Sequence, residues 1–279
     1  MTDRLAEIEG RIRSVQQLGN VVTAMRGIAA TRAQQSRALL PAIDAYSRTI
    51  AEAITQALPL VPADGALPRR GNAPGALVLF GAEQGFAGAF SDRMLAVTDG
   101  LPASTALFLI GSRSSRQASE RGLRPVWQAP MAAQTGSLTG LASRIAEALY
   151  AALPEAGFGL VEMVFPVWQP GAAFRVERRS LLPLDPRWFP SRPPGQAPLI
   201  TLPPARLLAQ LAEEYVTAQL CEGATHAYAA ENEARAAAMM RAKTNIAGML
   251  ETLHASQRRE RQEAITAEVV ELASGSGML

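Results

Sequence analysis

Apolar side chains recur at spacings of three, four or seven along residues 1–57. This spacing predicts a long helix with a coiled-coil seam and not a strand. The seam positions are Leu5, Ile8, Ile12, Val15, Val22, Met25 and Ala29. Pro41 predicts a kink rather than an end, because the helical pattern continues to Ile54. Thr2 or Asp3 would cap the start of this helix.

Two glycines interrupt the first helix at or beside its seam. Gly19 occupies a seam position and Gly27 lies next to it. Each costs about 1 kcal/mol of helix propensity relative to alanine. We therefore expect another backbone to approach closely at both positions, so that packing offsets the cost.

The period of the pattern changes between two stretches rich in proline, 59–75 and 183–204. Short apolar runs there predict buried strands, and three helices alternate with them. The predicted strands are 76–80, 105–110 and 159–167, and the predicted helices are 87–98, 112–121 and 137–152. Strand alternating with helix is typical of a parallel α/β domain. Residues 174–182 alternate apolar and polar side chains, which predicts an antiparallel edge strand.

The chain is predicted to be helical again from residue 205 to about 273. Its apolar positions are Leu207, Leu211, Met239, Ile246, Met249, Leu250, Leu253, Ile265, Val269 and Leu272. Two long helices that flank one insert must run antiparallel to pack their seams together. The predicted fold is therefore a small Rossmann-like α/β domain inserted between the helices of a long antiparallel coiled coil. The corresponding domain boundaries are 1–57, 74–200 and 205–279.

The net charge and the distribution of charged residues limit the classes of binding partner that we expect. The formal net charge is +2, so no strong overall attraction to nucleic acid or to a membrane is expected. Five arginines and no acid lie between Glu9 and Asp44. Two interpretations stay open, namely a solvated helix face and a basic face directed at an acidic partner.

The single cysteine, Cys221, excludes an internal disulfide, and no window has the ~18 apolar residues of a membrane span. The charged N-terminus lacks the apolar core of a signal peptide, so we expect a protein that stays inside the cell.

The residues of the insert do not fit nucleotide binding. The turn from Gly81 to Gly88 follows a strand, but its spacing GxxxGxxG is not the dinucleotide fingerprint. A phosphate-binding P-loop needs a lysine after its second glycine. The only lysine of the chain, Lys243, lies far away in the second long helix.

Metal sites and catalytic groups are also not predicted. His226 and His254 are 28 residues apart on the second long helix, without ligands at metal-binding spacing, and are expected to be exposed. Ser114 and Ser115 lack a nucleophile elbow or a base nearby. The sequence therefore predicts no catalytic residue, no cofactor and no metal, which argues against an enzyme built on the insert.

The two ends of the chain resemble a known family. Residues 261–275 read RQEAITAEVVELASG, which is similar to the pattern RQxxITxExxEIxSG that ends the gamma subunits of F-type ATP synthases. Residues 12–15 and 23–26 resemble the opening helix of that family. Further matches are Glu231, Arg235, Ala238, Met239, Ala242 and Asn245. The order of long helix, α/β insert and long helix is also that of the family.

The chain departs from the family pattern at three places. The central motif of the family, SDRGLCGGFN, corresponds here to the degenerate residues 81–90. Lys243 and Thr244 replace a threonine and an aspartate, and Gln257 and Arg258 replace a tyrosine and an asparagine. These changes are compatible with a diverged or alternate type of the subunit.

The resemblance implies a non-catalytic rotor shaft. In the family the coiled coil lies inside a ring of three alpha and three beta subunits, and the globular domain meets the epsilon subunit and the membrane c-ring. Ion-driven rotation of this shaft changes the conformation of the catalytic beta subunits. The implied location is peripheral, on the cytoplasmic side of the inner (plasma) membrane. A cytosolic coiled-coil adaptor with a ligand-binding α/β insert is the competing interpretation.

The resemblance also implies the residues that would contact the ring. The positions that match rotor contacts with beta are Met25, Arg26, Arg261, Gln262, Thr266 and Glu268, and the apolar bearing face is Ile265, Val269 and Leu272. A basic surface is implied at Arg26, Arg32, Arg37, Arg258, Arg259 and Arg261, facing an acidic loop of beta. For each position a local role in the coiled coil, or a solvated helix face, stays open.

Overall fold

A computed structural model describes residues 2–61, 74–170, 172–189 and 198–275. Its longest elements are helices α1 (Thr2–Ala57) and α5 (Pro204–Gly275), which confirm the two predicted terminal helices. Pro41 lies inside α1 and does not end it. The side chains of Thr2 and Asp3, predicted to cap α1, lie outside the described residues. Most of the predicted linker 59–75 and part of 183–204 lie outside them as well.

The residue contacts divide the chain into two compact units, residues 1–29 with 236–279 and residues 30–235. The first unit contains the start of α1 and the end of α5. Gln257 donates to the Glu9 carboxylate over 3.0 Å, and Arg26 donates to the Met240 sulfur over 3.6 Å. From Glu9 to Arg26 the residue numbers on α1 rise, whereas the numbers of their partners on α5 fall from Gln257 to Met240. The two helices are therefore antiparallel.

The seam of this first unit follows the predicted positions. Val22, Met239 and Ile246 form its buried cluster, with Val15, Met25, Ala242 and Leu250 packed against them. A side-chain carbon built at Gly19 would lie 3.4 Å from a methyl group of Ile246, so a side chain rather than a backbone approaches there. The expectation for Gly27 is wrong, because no atom outside its own helix neighbourhood lies within 4 Å of such a carbon.

The second unit contains a five-stranded sheet in the order β3-β2-β1-β4-β5. The strands are β1 (Gly75–Phe80), β2 (Ala106–Ile110), β3 (Trp127–Ala129), β4 (Leu160–Gln169) and β5 (Ala172–Leu182). β1 pairs in parallel with β2 and β4, β2 pairs in parallel with β3, and β5 is antiparallel to β4. The parallel α/β domain and its antiparallel edge strand are confirmed.

Both faces of the sheet are buried, as parallel sheets require. The helices between the strands are α2 (Phe90–Leu95), α3 (Ser112–Glu120) and α4 (Leu138–Ala156). Val78 and Phe80 point into a core shared with α4 and with Leu220 and Ala224 of α5. Side chains of the other face, such as Leu79, join a core with residues of α2 and α3.

The parts of α1 and α5 inside the second unit also run antiparallel. Ser36 donates to the carbonyl of Thr225 over 2.9 Å, and Tyr46 donates to the carboxylate of Glu214 further along α1. Small residues permit this close packing, because Ala33, Ser36 and Thr225 are fully buried.

Two details of the insert differ from the sequence prediction. Strand β3 was not predicted, and among the described strands its three residues pair with β2 alone. Helix α2 begins three residues later than predicted, at Phe90. The preceding turn uses left-handed backbone at Phe86 and Gly88, with φ of 62° at each, which cannot continue into a helix.

Candidate functional site

The end of α5 presents the residues that the resemblance assigns to ring contacts. Arg261, Gln262, Thr266 and Glu268 are all exposed. Arg261 donates to the Glu9 carboxylate over 3.1 Å, and the Thr266 hydroxyl donates to the backbone carbonyl of Gln262 over 2.8 Å. These internal contacts leave most of each side chain in contact with solvent.

The predicted bearing face is an exposed apolar stripe. Ile265, Val269 and Leu272 are 61%, 57% and 68% exposed. At 100° per residue they share one side of the helix. The same geometry places Arg261 and Glu268 along one border of the stripe and Gln262 and Thr266 along the other. Burial against α1 does not account for these apolar side chains, because more than half of each is exposed.

Met25 and Arg26 are engaged within the chain. Met25 is half-buried and packs against the seam cluster of the first unit. The Arg26 guanidinium contacts the Met240 sulfur. Met25 therefore has a local packing role in addition to whatever surface it presents.

Acids of α5 pair with two arginines of the predicted basic surface. Arg37 forms an ion pair with Glu233 and lies over the Trp168 ring, 4.5 Å from its centre. Arg259 pairs with Glu263 over 3.0 Å, one turn further along α5. The excess of arginine between Glu9 and Asp44 is thus partly balanced inside the molecule, which the charge pattern of α1 alone did not indicate.

A buried polar cluster fastens the turn after β1 to α5. The Glu231 carboxylate accepts the backbone N–H groups of Glu83 (3.0 Å) and Gln84 (2.9 Å). Arg235 pairs with Glu231 and donates to the carbonyl of Gly85 over 3.2 Å. The side chains of Glu231 and Arg235 are only 3% and 7% exposed. Both matched the family pattern, but their partners in the turn were not predicted.

Glu83 extends this cluster to the next two strand ends. Its carboxylate accepts the N–H groups of Ser112 (2.9 Å) and Met131 (2.8 Å) and the hydroxyl of Ser112. Ser114 is fully buried and accepts the N–H of Ala82 over 2.8 Å, so it has a structural role. Glu83 is the acid inside the turn. Its position between two glycines was the sequence signal from which a role in anchoring the turn could have been predicted.

His226 is not an exposed histidine, and that expectation is wrong. Its ring stacks on Phe165 with ring centres 5.7 Å apart, and its Nε2 lies 4.0 Å from the carboxylate of Glu222. Arg179 of β5 donates to Glu222 and to Gln219 in the same cluster. Burial is the main cause that lowers the pKa of His226, against the opposing effect of Glu222.

The lowered pKa of His226 predicts a loss of stability in acid. Below the ordinary histidine pKa of about 6.5 the unfolded chain binds a proton that the folded chain resists, so the free energy of unfolding falls with pH. One such proton gives a slope of at most about 1.4 kcal/mol per pH unit. His226→Phe, which preserves stacking on Phe165, is expected to flatten this slope between pH 7 and pH 5 in urea titrations. An unchanged slope would contradict the assignment, and His254→Phe is the control.

No group of three or more potential metal ligands occurs among the described residues. None of the helices in the described part of the chain combines the length and the hydrophobicity that a membrane span requires. The part of the chain that the structure describes thus offers surfaces and anchored turns, and we identify no catalytic arrangement in it.

The fold defines a class of proteins in which two long antiparallel helices carry an α/β insert. The family model described as ATP synthase matches residues 4–279. The chain belongs to this ATP synthase family.

Individual relatives agree with the family. The chain is 28% identical over 304 residues to the ATP synthase gamma chain of Frankia casuarinae, covering 100% of this chain and 99% of that one. It is 24% identical over 283 residues to the ATP synthase gamma chain of Solibacter usitatus, covering 98% of each. The departures at residues 81–90 fit such distant similarity.

Solved structures share the fold at low identity. A chain of the Euglena gracilis mitochondrial ATP synthase, determined as OSCP/F1/c-ring, has a TM-score of 0.65 and 11% identity, with 99% of this chain and 95% of that chain covered. A chain of the Tetrahymena thermophila mitochondrial ATP synthase central stalk and c-ring has a TM-score of 0.54 and 13% identity, covering 80% and 99%. The architecture of the helices and sheet is thus shared across distant ATP synthases.

Proposed function

We propose that this chain is the gamma subunit and central rotor shaft of an F-type ATP synthase. The observation that carries the proposal is the similarity to ATP synthase gamma chains, which covers 100% and 98% of this chain for the two relatives described above. The antiparallel pairing of α1 and α5 supplies the paired-helix element that such a role needs. The shaft couples ion-driven rotation of the membrane c-ring to conformational change at the catalytic beta subunits. ATP is made or hydrolysed on beta, so this chain is a non-catalytic subunit.

The partners in this proposal are three alpha and three beta subunits around the shaft, the epsilon subunit and the c-ring. The assemblies in which the Euglena and Tetrahymena neighbours were determined support these partners. Segments 1–57 and 205–279 form the shaft, and segment 74–200 is the insert. The protein is peripheral to the membrane, and we place it on the cytoplasmic side of the inner (plasma) membrane.

The stripe of Ile265, Val269 and Leu272 is the bearing face in this proposal. Its exposure supports this role, because an apolar stripe of this kind is stabilised when a sleeve of hydrophobic side chains covers it. The polar side chains along its two borders, Arg261 with Glu268 and Gln262 with Thr266, form hydrogen bonds with beta as the shaft turns. Met25 and Arg26 add a contact on α1.

Reconstitution tests the proposed function directly. The full chain is mixed with alpha and beta subunits of its own organism, and the product is separated by size. We expect a complex with one copy of this chain and three copies each of alpha and beta, which hydrolyses ATP faster than alpha and beta alone. Failure to join the ring would contradict the proposal. Capture of a different partner by the insert would favour the adaptor instead.

The contact residues are tested in the complete enzyme, in which this chain is assembled with the alpha, beta and epsilon subunits and the c-ring in membrane vesicles. Loss of one hydrogen bond to a charged group costs about 1.5 to 3 kcal/mol. We therefore expect Arg261→Ala combined with Gln262→Ala to lower proton- or sodium-driven ATP synthesis by about tenfold or more. Met25→Lys should lower it in the same assay. The helical circular dichroism of these variants should stay unchanged.

Arg241→Ala is the matched control for the tail variant. Arg241 is an exposed arginine of the same helix and belongs to none of the proposed contacts. It should leave ATP synthesis within about twofold of the original rate, since such surface substitutions change free energies by about 0.5 kcal/mol at most. Equal effects of the control and the double variant would argue against specific contacts at Arg261 and Gln262.

A further inference from the structure

The turn after β1 lies where open α/β sheets bind their ligands. From β1 the chain continues to β2 and β3 on one side of the sheet, and it returns to the other side of β1 for β4. Ligands of such sheets bind outside the carboxyl ends of the strands, at the point where the strand order reverses. The turn that begins at Gly81, directly after β1, is at that point.

The backbone of this turn forms an anion-binding surface. Two consecutive residues, Glu83 and Gln84, direct their N–H groups to the carboxylate of Glu231, with 3.0 Å to Oε2 and 2.9 Å to Oε1. The guanidinium of Arg235 donates to the same Oε1 from the next turn of α5. Converging N–H groups and a guanidinium are the donors with which proteins bind carboxylates and phosphates.

The site is shielded from water but lies close to the surface. The side chains of Glu231 and Arg235 are 3% and 7% exposed, and Ala230 beside them is fully buried. Hydrogen bonds to a charged group are strengthened in such surroundings. Gln84 is exposed, so one side of the turn faces solvent. A small solute can therefore reach the site once the carboxylate of Glu231 is removed.

The other acid of this region is bound elsewhere. The carboxylate of Glu83 accepts hydrogen bonds from Ser112 and Met131, which follow β2 and β3. Among the ion pairs of the described residues, Arg235 pairs with Glu231 alone. The donors of the turn and of Arg235 are thus satisfied by a single carboxylate, which α5 supplies.

We propose that the turn after β1 is a binding site for a small carboxylate anion, and that α5 keeps the site filled with the side chain of Glu231. Because Glu231 is tethered, its effective concentration at the site exceeds that of any free anion in solution. The insert therefore carries the ligand-binding edge of its fold in a closed form. This argues against an adaptor that binds a ligand at this edge, and it does not depend on the proposed rotor function.

Glu231→Ala in the full chain empties the site by the atoms of one acetate ion, since Cβ stays and one methylene with its carboxylate is removed. The variant leaves the charge of Arg235 uncompensated, so its melting temperature should fall by at least about 6 °C. Sodium acetate at about 0.3 M should raise it by about 3 to 6 °C relative to equal sodium chloride, for a dissociation constant of about 30 mM. Saturation-transfer NMR on the acetate methyl group should detect binding to the variant and none to the original chain.

Glu231→Gln is the matched control, because it removes the same charge but keeps the space filled. Its melting temperature should be the same in acetate and in chloride, and so should that of the original chain. Benzoate tests the size of the site, because it carries the same carboxylate on a ring that exceeds the vacated space. It should stabilise Glu231→Ala no more than chloride does.

A double variant keeps the test decisive if Glu231→Ala does not fold. Glu231→Ala combined with Arg235→Met removes the uncompensated charge and leaves the N–H groups of Glu83 and Gln84 in place. Two of the three donors remain, so acetate should still raise the melting temperature relative to chloride, by about 1 to 2 °C.

Three results would overturn the proposal. The first is an equal response of Glu231→Ala to acetate, benzoate and chloride, or an equal response of Glu231→Ala and Glu231→Gln to acetate, which would show a general effect of salt. The second is an acetate response of the original chain as large as that of Glu231→Ala, which would place the anion elsewhere. The third is the lack of any acetate response in both Glu231→Ala and the double variant, which would leave Glu231 with a structural role alone.

Discussion

Arg235→Ala is expected to lower the free energy of unfolding by about 3 kcal/mol or more. Arg235 and Glu231 form an ion pair whose side chains are almost fully buried. Removing one partner of a buried pair leaves an uncompensated charge, which typically costs about 3 to 5 kcal/mol. In this variant Glu231 still accepts hydrogen bonds from two backbone N–H groups. We therefore expect a cost near the lower end of this range.

Tryptophan fluorescence during urea unfolding measures this loss. All three tryptophans, Trp127, Trp168 and Trp188, lie in the unit of residues 30–235 that contains the pair. Arg48→Ala is the matched control, because Arg48 also pairs with an acid four residues away in the same unit, but with side chains 70% and 63% exposed. It should change stability by about 1 kcal/mol at most. Equal losses for the two variants would contradict the importance of burial.

Gly111→Ala is expected to destabilise the same unit by at least about 3 kcal/mol. Gly111 joins β2 to α3 with a φ of 110°, outside the range that other residues readily adopt. An added side-chain carbon would lie 2.5 Å from the carbonyl oxygen and 2.8 Å from the carbonyl carbon of Ala82. These atoms belong to the backbone of the turn that Glu83 and Glu231 hold, so they cannot move aside cheaply.

Gly122→Ala is the control that introduces backbone strain without a steric clash. Gly122 follows α3 with a φ of 77°, and no atom lies within 4 Å of an added carbon there. Its replacement should cost about 1 to 2 kcal/mol, the price of left-handed backbone for a residue with a side chain. The urea midpoint monitored by tryptophan fluorescence measures both variants. If Gly111→Ala lost no more unfolding free energy than Gly122→Ala, the backbone of the turn would have moved to accommodate the added carbon, and the prediction would be wrong.

Most of the fold follows from local patterns in the sequence. The coiled-coil seam from Ile12 to Ala29 and the apolar run 76–80 are each visible within a few residues, because helices and strands repeat with fixed periods. The alternation of strand and helix then restricts the sheet to a parallel arrangement. Strand β3 escaped prediction because three residues cannot display a period.

The candidate site also contains some residues that the sequence predicts and others that it does not. The sequence could propose the tail residues from Arg261 to Leu272 because they form one continuous motif, and their role stays a prediction. The bond from Glu83 to Glu231 joins residues 148 positions apart, and no local pattern reports such a pairing.

The unit built from the start of α1 and the end of α5 has a thin interior. Its described residues bury five hydrophobic side chains, Ile12, Val22, Ala29, Met239 and Ile246. Segments with so few buried contacts open locally at low free-energy cost. Resistance of this helix pair to twisting under load would therefore come largely from the subunits that enclose it, and the elastic behaviour of the shaft becomes a property of the assembled motor.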